Sequence, residues 1–155
     1  LVEPEGAISV AALDLLVGNG VAITDDDRTL IVAETLGHRI SAFDVDAAGR
    51  LSNHRVFATL PGEHMPDGIC LDARGGVWVA CPSGLGVVRF EASGRMTHVV
   101  PVPEPHRAYA CMLGGPDRRT LFICTSETSD KVLAPKMRSS RIVRVAVGFA
   151  GAGLP

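Results

Sequence analysis

An internal repeat constrains the fold of this chain more than any other feature of its sequence. Residues 19–34, 67–80 and 110–125 each contain an apolar stretch, a polar turn rich in Asp, Gly or Arg, and a second apolar stretch. This pattern predicts a β-hairpin in each segment. Matching the second strands places Val77 47 residues after Leu30, and the third repeat follows at a similar spacing. A period of this length is typical of repeat architectures.

Each hairpin is followed by residues that alternate between apolar and polar or small side chains, at 42–45, 88–91 and 143–147. A period of two predicts strands with one buried face. A fourth, more polar strand fits residues 56–60 and 97–100. Four strands in a unit of about 40 to 50 residues make one blade of a β-propeller. We therefore predict an all-β fold, a β-propeller with about three four-stranded blades.

Three blades do not close a ring, because propellers contain about four to eight of them. An open ring exposes apolar faces at both of its ends. The sequence therefore predicts that preceding blades of a longer chain, or a second copy of this chain, complete the ring, and it favours the first interpretation. Residues 7–17 are apolar, and we predict that they form the outer strand of the preceding blade.

Charge and cysteine usage narrow the classes of partner and compartment. The 155 residues include 15 basic and 17 acidic side chains, a net charge of −2, without basic runs. We expect no nucleic-acid partner and no membrane surface, and no stretch of about 18 apolar residues predicts a bilayer span. Cys70, Cys81, Cys111 and Cys124 lie in or beside apolar stretches without a CxxC pair. They predict reduced, buried thiols in a cytoplasmic compartment.

Two polar residues stand just ahead of the first strands of the first two repeats, in Asn19-Gly20 and Asp67-Gly68. The innermost strand of a propeller blade begins at one rim of the central channel, so both side chains are expected to point into its mouth. Oxygen donors that converge there suit a hard cation such as calcium or magnesium. The alternative is that these dipeptides only make turns, which they do often. On the pattern alone, the turn interpretation is favoured.

Further candidates lie near the same rim. Glu34, Cys81 and Ser126 end the second strands, and we predict Glu34 and Ser126 as substrate-binding residues. The alternative interpretations are a strand-end polar residue or a buried thiol. His64 lies in the loop before Asp67 and is more typical of a solvated loop histidine. A Gly-x-Ser-x-Gly nucleophile motif is absent from the sequence.

The chain resembles the senescence-marker-protein, gluconolactonase and luciferin-regenerating-enzyme family over essentially its whole length. The first part of the resemblance is carried by residues 19–35, 39–44, 66–72 and 76–80. Residues 114–117, 121–125 and 147–155 resemble the last blade and C-terminus of that family. The resemblance implies that residues 1–155 are the C-terminal half of a single six-bladed propeller domain.

The resemblance also implies a divalent metal in the channel and a lactone-hydrolysing activity; related propellers hydrolyse organophosphates. Asn19 and Asp67 match metal ligands of the family, and Asp67 matches the aspartate proposed as the catalytic base. The other ligands, a glutamate and commonly an asparagine, lie in N-terminal blades that this sequence lacks, and neither Glu3 nor Glu5 matches that glutamate. Gly18 stands where the family usually has proline.

These observations predict a metal-dependent hydrolase, most plausibly a gluconolactonase-like lactonase. It would open a sugar lactone or small ester with water activated by a divalent cation. Calcium is the expected ion, with zinc, magnesium or manganese as alternatives. The rival hypothesis is a non-catalytic propeller that binds calcium or a partner. We expect little activity from the 155 residues alone, because two ligands hold a divalent ion weakly.

Overall fold

The computed structural model describes residue 6 and residues 8–153, and it places them in three antiparallel sheets arranged as consecutive blades. Blade 1 contains β1 (Gly18–Ile23), β2 (Thr29–Glu34), β3 (Arg39–Val45) and β4 (Leu51–Thr59). Blade 2 contains β5 (Ile69–Leu71), β6 (Val77–Cys81), β7 (Gly86–Phe90) and β8 (Met96–Val100). Blade 3 contains β9 (Arg107–Gly114), β10 (Thr120–Ser126) and β11 (Arg141–Ala146). Short helical turns occur at Thr35–Gly37 and at α1 (Ala134–Met137).

The strands of each blade pair in sequence order, from the inner strand outward. This is the arrangement of propeller blades, so the predicted all-β propeller fold is confirmed, with three blades of a ring that stays open. The predicted fourth strands of blades 1 and 2 are present as β4 and β8. Blade 3 has three strands within the described residues rather than the predicted four.

The inner strands of neighbouring blades approach each other closely because glycines lie at their contacts. The Gly20 N–H donates to the Asp67 carbonyl at 3.1 Å, and the Gly68 N–H donates to the Tyr109 carbonyl at 2.9 Å. A Cβ atom at Gly20 would lie 2.5 Å from the Asp67 carbonyl oxygen, and one at Gly68 would lie 2.8 Å from the Ala110 Cα. Only glycine permits this spacing, which brings the starts of β1, β5 and β9 together.

Two apolar clusters hold the blades against each other. Between blades 1 and 2, side chains such as Ile31 and Ile40 pack with Val79 and Phe90. Between blades 2 and 3, Trp78 and its neighbours pack with apolar residues of β9 and β10. Trp78 is a packing residue, and its side chain is buried. Because blade 2 is covered on both sides, all five residues of β7 are buried.

The predicted one-sided burial of the third strands is wrong in all three blades. In β3 the four consecutive residues 40–43 are buried. In β7 both faces are buried, whereas in β11 every residue is exposed. The physical reason is the position of the blade: blade 2 has two neighbours, while one face of blade 3 and the outer edge of β11 are uncovered. Cys70, Cys81 and Cys111 are buried free thiols as predicted, but Cys124 lies on that uncovered face and is exposed.

The segment before β1 does not form the predicted strand. Residue 7 lies outside the described residues, Ile8 forms an isolated bridge, and residues 9–15 have no helix or strand. The blade that this strand was predicted to join is not among the three blades that the structure describes. The segment is anchored at its end, where the Leu16 and Val17 carbonyls accept hydrogen bonds from backbone N–H groups at 3.1 and 2.9 Å.

A buried ion pair fixes blade 2 at the rim opposite to Asp67. The Asp72 carboxylate accepts hydrogen bonds from Arg89 Nε at 2.6 Å and from Trp78 Nε1 at 3.0 Å. Gly151 forms a bridge with Asp72, so the end of the described chain also packs there. Among the described residues, none of the helices has the length and apolarity to cross a membrane.

Candidate metal and substrate site

The candidate site lies at the rim where the three inner strands begin. The hydrogen bonds from Gly20 to Asp67 and from Gly68 to Tyr109 show that Asn19, Asp67 and Tyr109 hold equivalent positions on successive blades. The structure therefore brings the two predicted ligand residues together. Tyr109 escaped the sequence analysis because the third repeat has alanine, rather than glycine, after it.

Asn19 is held in place by a short chain of hydrogen bonds. Its Nδ2 donates to the Thr35 hydroxyl at 3.2 Å, and that hydroxyl donates to the Pro66 carbonyl at 2.9 Å. The Asn19 amide also lies close enough to the Asp67 carboxyl group to lower its pKa. Both interactions engage the amide nitrogen, because a carboxylate only accepts hydrogen bonds. The amide oxygen is thus the atom that Asn19 offers to a cation, and Thr35 is a positioning residue that the sequence analysis did not single out.

Asp67 is half-buried at the mouth of the channel. Burial raises the pKa of its carboxyl group above the usual value, and the hydrogen bond from Asn19 opposes this effect. A raised pKa makes the carboxylate a stronger base than an exposed one. Its backbone N–H donates to the Ala80 carbonyl at 2.9 Å, which anchors the residue to β6 next to Cys81.

Cys81 is a buried, neutral thiol. Burial, with a smaller effect from the Asp67 charge, raises the pKa of Cys81 to about 12. A thiol is nucleophilic only as the thiolate, so Cys81 does not supply a nucleophile at neutral pH. The structure therefore agrees with the interpretation of Cys81 as a buried thiol.

Glu34 lies in a buried ion-pair cluster beneath the segment before β1. Its carboxylate accepts hydrogen bonds from Arg39 Nε at 2.9 Å, from the Leu16 N–H at 2.9 Å and from the Ser41 hydroxyl. Burial opposes ionisation of Glu34, but the bonds from Arg39, Leu16 and Ser41 outweigh it and lower the pKa to about 2. The side chain is fully buried, so the geometry favours a structural role. Its contact with substrate stays a prediction.

Ser126 lies at the end of β10 and lines a cavity of about 350 Å³ on the uncovered side of blade 3. Tyr109, Arg141 and further hydroxyl-bearing side chains line the same cavity. The Ser126 hydroxyl donates to the Thr128 carbonyl at 2.8 Å. Ser126 and the rim residue Tyr109 thus line the same cavity.

His64 lies in the loop between β4 and β5 and is half-buried. Its carbonyl accepts a hydrogen bond from His38 Nδ1 at 3.1 Å, and its own Nδ1 lies 3.5 Å from the Ser83 hydroxyl. These contacts fix the rim loop that leads to Asp67. They agree with the interpretation of His64 as a loop residue.

The protein-family model of the SMP-30/gluconolactonase/LRE-like region matches residues 1–127 of this chain. The chain belongs to that family. A regucalcin of Xenopus laevis is 33% identical over 113 residues, which are 71% of this chain and 38% of that protein. The chain therefore spans less than half the length of this curated relative.

Solved structures of the family share the fold. A gluconolactonase of Xanthomonas campestris is 34% identical, with a TM-score of 0.65 over 78% of this chain and 39% of that one. A regucalcin of Agrobacterium tumefaciens, described as a calcium-binding protein, has a TM-score of 0.78 at 20% identity. The match covers 97% of this chain and 52% of that protein. The chain therefore corresponds to about half of a propeller.

The donor atoms at the rim fit a hard divalent cation. Asn19 supplies an amide oxygen and Asp67 a carboxylate oxygen, which are ligand types that calcium and magnesium prefer. Within residue 6 and residues 8–153, no three His, Cys, Asp or Glu side chains come together as a metal site. Calcium takes about six to eight oxygen ligands, so these two residues make only part of a complete ligand shell.

Proposed function

We propose that the complete propeller to which this chain contributes is a metal-dependent hydrolase that opens lactones. The observation that carries the proposal is the juxtaposition of Asn19 and Asp67 on adjacent inner strands of a chain that belongs to the SMP-30/gluconolactonase/LRE-like family. The X. campestris gluconolactonase, at 34% identity, supports a lactone as the class of substrate. Calcium is the proposed ion, since the A. tumefaciens relative is a calcium-binding protein.

In this proposal Asn19 and Asp67 hold the cation through their side-chain oxygens. A bound divalent ion supplies Lewis-acid polarisation of a lactone carbonyl and lowers the pKa of water. Asp67 accepts a proton at its carboxylate oxygen as water attacks the carbonyl carbon, and burial favours this role because it raises the pKa of the group. The ring C–O bond then breaks, and the proton passes from Asp67 to the leaving alkoxide, which yields a hydroxy acid.

The cavity next to the rim suits the polar arm of a sugar lactone. Its hydroxyl-bearing lining includes Tyr109 and Ser126, and Arg141 adds a positive charge. Hydroxyl groups of a substrate would find donors and acceptors among these side chains. We therefore propose a hydroxylated lactone as the substrate and Ser126 as a substrate-binding residue.

The test is hydrolysis of glucono-δ-lactone in the presence of calcium by the 155-residue chain and by a chain extended upstream through the preceding blades. Asp67→Asn is expected to lower turnover by about 10²- to 10⁴-fold, the usual contribution of a general base. Asp27→Asn is the matched control, because Asp27 is an exposed turn residue at φ 56° and asparagine tolerates that conformation.

Unchanged turnover in Asp67→Asn would contradict the assigned role. The rival function, a propeller that binds calcium without catalysis, has its own signature. It predicts calcium binding that depends on Asn19 and Asp67 together with no lactone hydrolysis by either chain. Lactone hydrolysis, measured beside calcium calorimetry on the same proteins, separates the two functions.

A further inference from the structure

Two buried cysteines lie side by side where blades 2 and 3 meet. The Sγ atoms of Cys70 on β5 and Cys111 on β9 are 4.0 Å apart. Both side chains belong to the apolar cluster between these blades, and they are 3% and 6% exposed. Both are free thiols, and the proposed hydrolysis uses neither of them.

The backbone fixes this sulfur–sulfur contact. The Gly68 N–H donates to the Tyr109 carbonyl at 2.9 Å, so β5 and β9 lie against each other where they leave the rim. Cys70 follows Gly68 by two residues, and Cys111 follows Tyr109 by two. The two cysteines therefore hold matching positions on neighbouring inner strands. Their sulfur atoms have to approach by about 2 Å to reach the length of a disulfide bond.

The other two cysteines face other parts of the molecule. Cys81 is near enough to Cys111 to influence its pKa, but its side chain packs in the cluster between blades 1 and 2. Cys124 pairs with Ala110, the residue next to Cys111, so its side chain points to the opposite face of blade 3, where it is exposed. The geometry therefore selects Cys70 as the partner of Cys111.

A small molecule can reach this pair from the channel side. Cys70 lines a cavity of about 230 Å³, which is also bounded by β1 and β9 through residues such as Ala22 and Leu113. A water molecule takes about 30 Å³ of liquid volume, so a molecule as small as hydrogen peroxide fits in the cavity. Cys70 is thus the thiol of the pair that such an oxidant meets first.

We propose that the Cys70–Cys111 pair is an oxidation site that reacts with hydrogen peroxide and forms a disulfide bond between blades 2 and 3. The Cys70 sulfur attacks one peroxide oxygen, the O–O bond breaks, and water leaves, so that Cys70 becomes a sulfenic acid. The Cys111 sulfur then attacks the Cys70 sulfur, the S–O bond breaks, and a second water leaves. The two thiols lose two electrons and two protons, and the peroxide takes up both and becomes two molecules of water.

The surroundings of the pair make this reaction slow. The neighbouring Cys70 thiol, together with burial, holds the pKa of Cys111 well above its usual value. The thiolate rather than the thiol is the nucleophile. We therefore expect the exposed Cys124 to react with peroxide or with an alkylating reagent first, and the pair to be oxidised over a longer time.

The disulfide bond has a consequence for stability. It joins the two strands that carry Asp67 and Tyr109 at the rim, and it closes a loop between cysteines 41 positions apart. Closing such a loop lowers the conformational entropy of the unfolded chain. We expect the urea midpoint of the oxidised chain to rise by about 1 to 2 M. This consequence does not rest on the proposed hydrolase function.

The experiment is peptide mapping after exposure to hydrogen peroxide. The 155-residue chain and the chain extended upstream through the preceding blades are each oxidised, alkylated and digested with trypsin. Cleavage after Lys and Arg places Cys70, Cys81, Cys111 and Cys124 in separate peptides, residues 56–74, 75–89, 108–118 and 120–131. We expect a species that joins peptides 56–74 and 108–118, two hydrogens lighter than their sum, and that dithiothreitol separates.

Four substitutions distinguish this site from other thiol chemistry. Cys70→Ala and Cys111→Ala should each abolish the joined species and the rise in urea midpoint. Cys81→Ala is the matched control, because it removes a buried thiol from the other apolar cluster, and Cys124→Ser removes the exposed one. Both controls should keep the joined species, and circular dichroism shows whether each variant keeps the β-rich fold.

The proposal is overturned if peptides 56–74 and 108–118 stay separate in both wild-type chains. It is also overturned if Cys111 joins the Cys81 peptide instead, or if peroxide yields only sulfinic or sulfonic acids on single peptides. A joined species of doubled mass on a non-reducing gel would contradict it as well, because the geometry places both sulfur atoms in one chain. A disulfide bond without a rise in the urea midpoint would leave the site in place and overturn the expected stabilisation.

Discussion

Asp67 and Asp72 flank the short strand β5, one on each side. We predict that Asp72→Asn destabilises the protein strongly and that Asp67→Asn does not. Asp72 is 1% exposed and its partner Arg89 is 4% exposed. The Asp72 carboxylate accepts hydrogen bonds from Arg89 Nε at 2.6 Å, from Arg89 Nη2 at 3.2 Å and from Trp78 Nε1 at 3.0 Å. Removing its charge leaves a guanidinium buried without a counter-ion.

The expected magnitude follows from that uncompensated charge. Breaking a buried ion pair by removing one partner costs about 3 to 5 kcal/mol. Asparagine keeps one acceptor oxygen, so we expect the lower end, about 3 kcal/mol. With a urea m-value of about 2 kcal/mol/M, the unfolding midpoint should fall by about 1.5 M. Asp67 differs because burial raises its pKa; its charge therefore opposes folding at neutral pH, and Asp67→Asn should change stability by no more than ~0.5 kcal/mol or increase it slightly.

The assay is urea unfolding followed by circular dichroism, at one protein concentration and at several pH values. Burial opposes ionisation of Asp72, but the hydrogen bonds from Arg89 and the backbone lower its pKa below the usual value. Its contribution is therefore present at neutral pH and is lost as pH falls through the folded-state pKa, so the gap between wild type and Asp72→Asn should narrow in acid. A loss below 1 kcal/mol for Asp72→Asn, or an equal loss for Asp67→Asn, would refute the reasoning.

Three further substitutions test the site and its support. Gly20→Ala should separate β1 from β5 and weaken calcium binding, because its Cβ would lie 2.5 Å from the Asp67 carbonyl oxygen; calorimetry that shows unchanged affinity would contradict this. Glu34→Gln should destabilise the fold by about 1 to 3 kcal/mol at pH 7. The pKa of Glu34 falls from 4.5 to about 2 in the folded state. The wild type should therefore lose the stabilisation from ionised Glu34 as the pH falls from 4.5 to about 2. If Glu34→Gln lost the same stability over this pH range, Glu34 would not be its source. Ser126→Ala should raise KM for glucono-δ-lactone with little change in kcat, and an unchanged KM would remove Ser126 from the substrate cavity.

The sequence was sufficient to predict the blades because strand patterning is local. The hairpin in residues 19–34 reappears as β1 and β2, and the turn between them contains the polar residues 25–27. Asn19 and Asp67 could also be found, since polar residues followed by glycine occur at the same place in two repeats. Tyr109 could not be found this way, because its equivalence becomes visible only through the hydrogen bond that its carbonyl accepts from Gly68.

The Asp72–Arg89 pair escaped the sequence analysis for a different reason. The two residues are 17 positions apart, and they meet because β5 and β7 flank β6 in one sheet. Charge alone does not distinguish Asp72 from exposed acidic residues such as Asp46. Burial distinguishes them, and burial depends on the tertiary packing of the whole blade.

Three of the differences between prediction and structure share one physical cause. The exposed strand β11, the exposed Cys124 and the strandless residues 9–15 all lie at the two open ends of the three-bladed unit. The faces of a propeller strand are buried by the neighbouring blades. The sequence pattern at the two open ends therefore predicts burial against blades that are not among the three described. The rim site is incomplete in the same way. Asn19 and Asp67 supply two oxygen ligands, and a hard cation needs several more. Whatever closes the ring therefore determines both the burial of these ends and the affinity of the site.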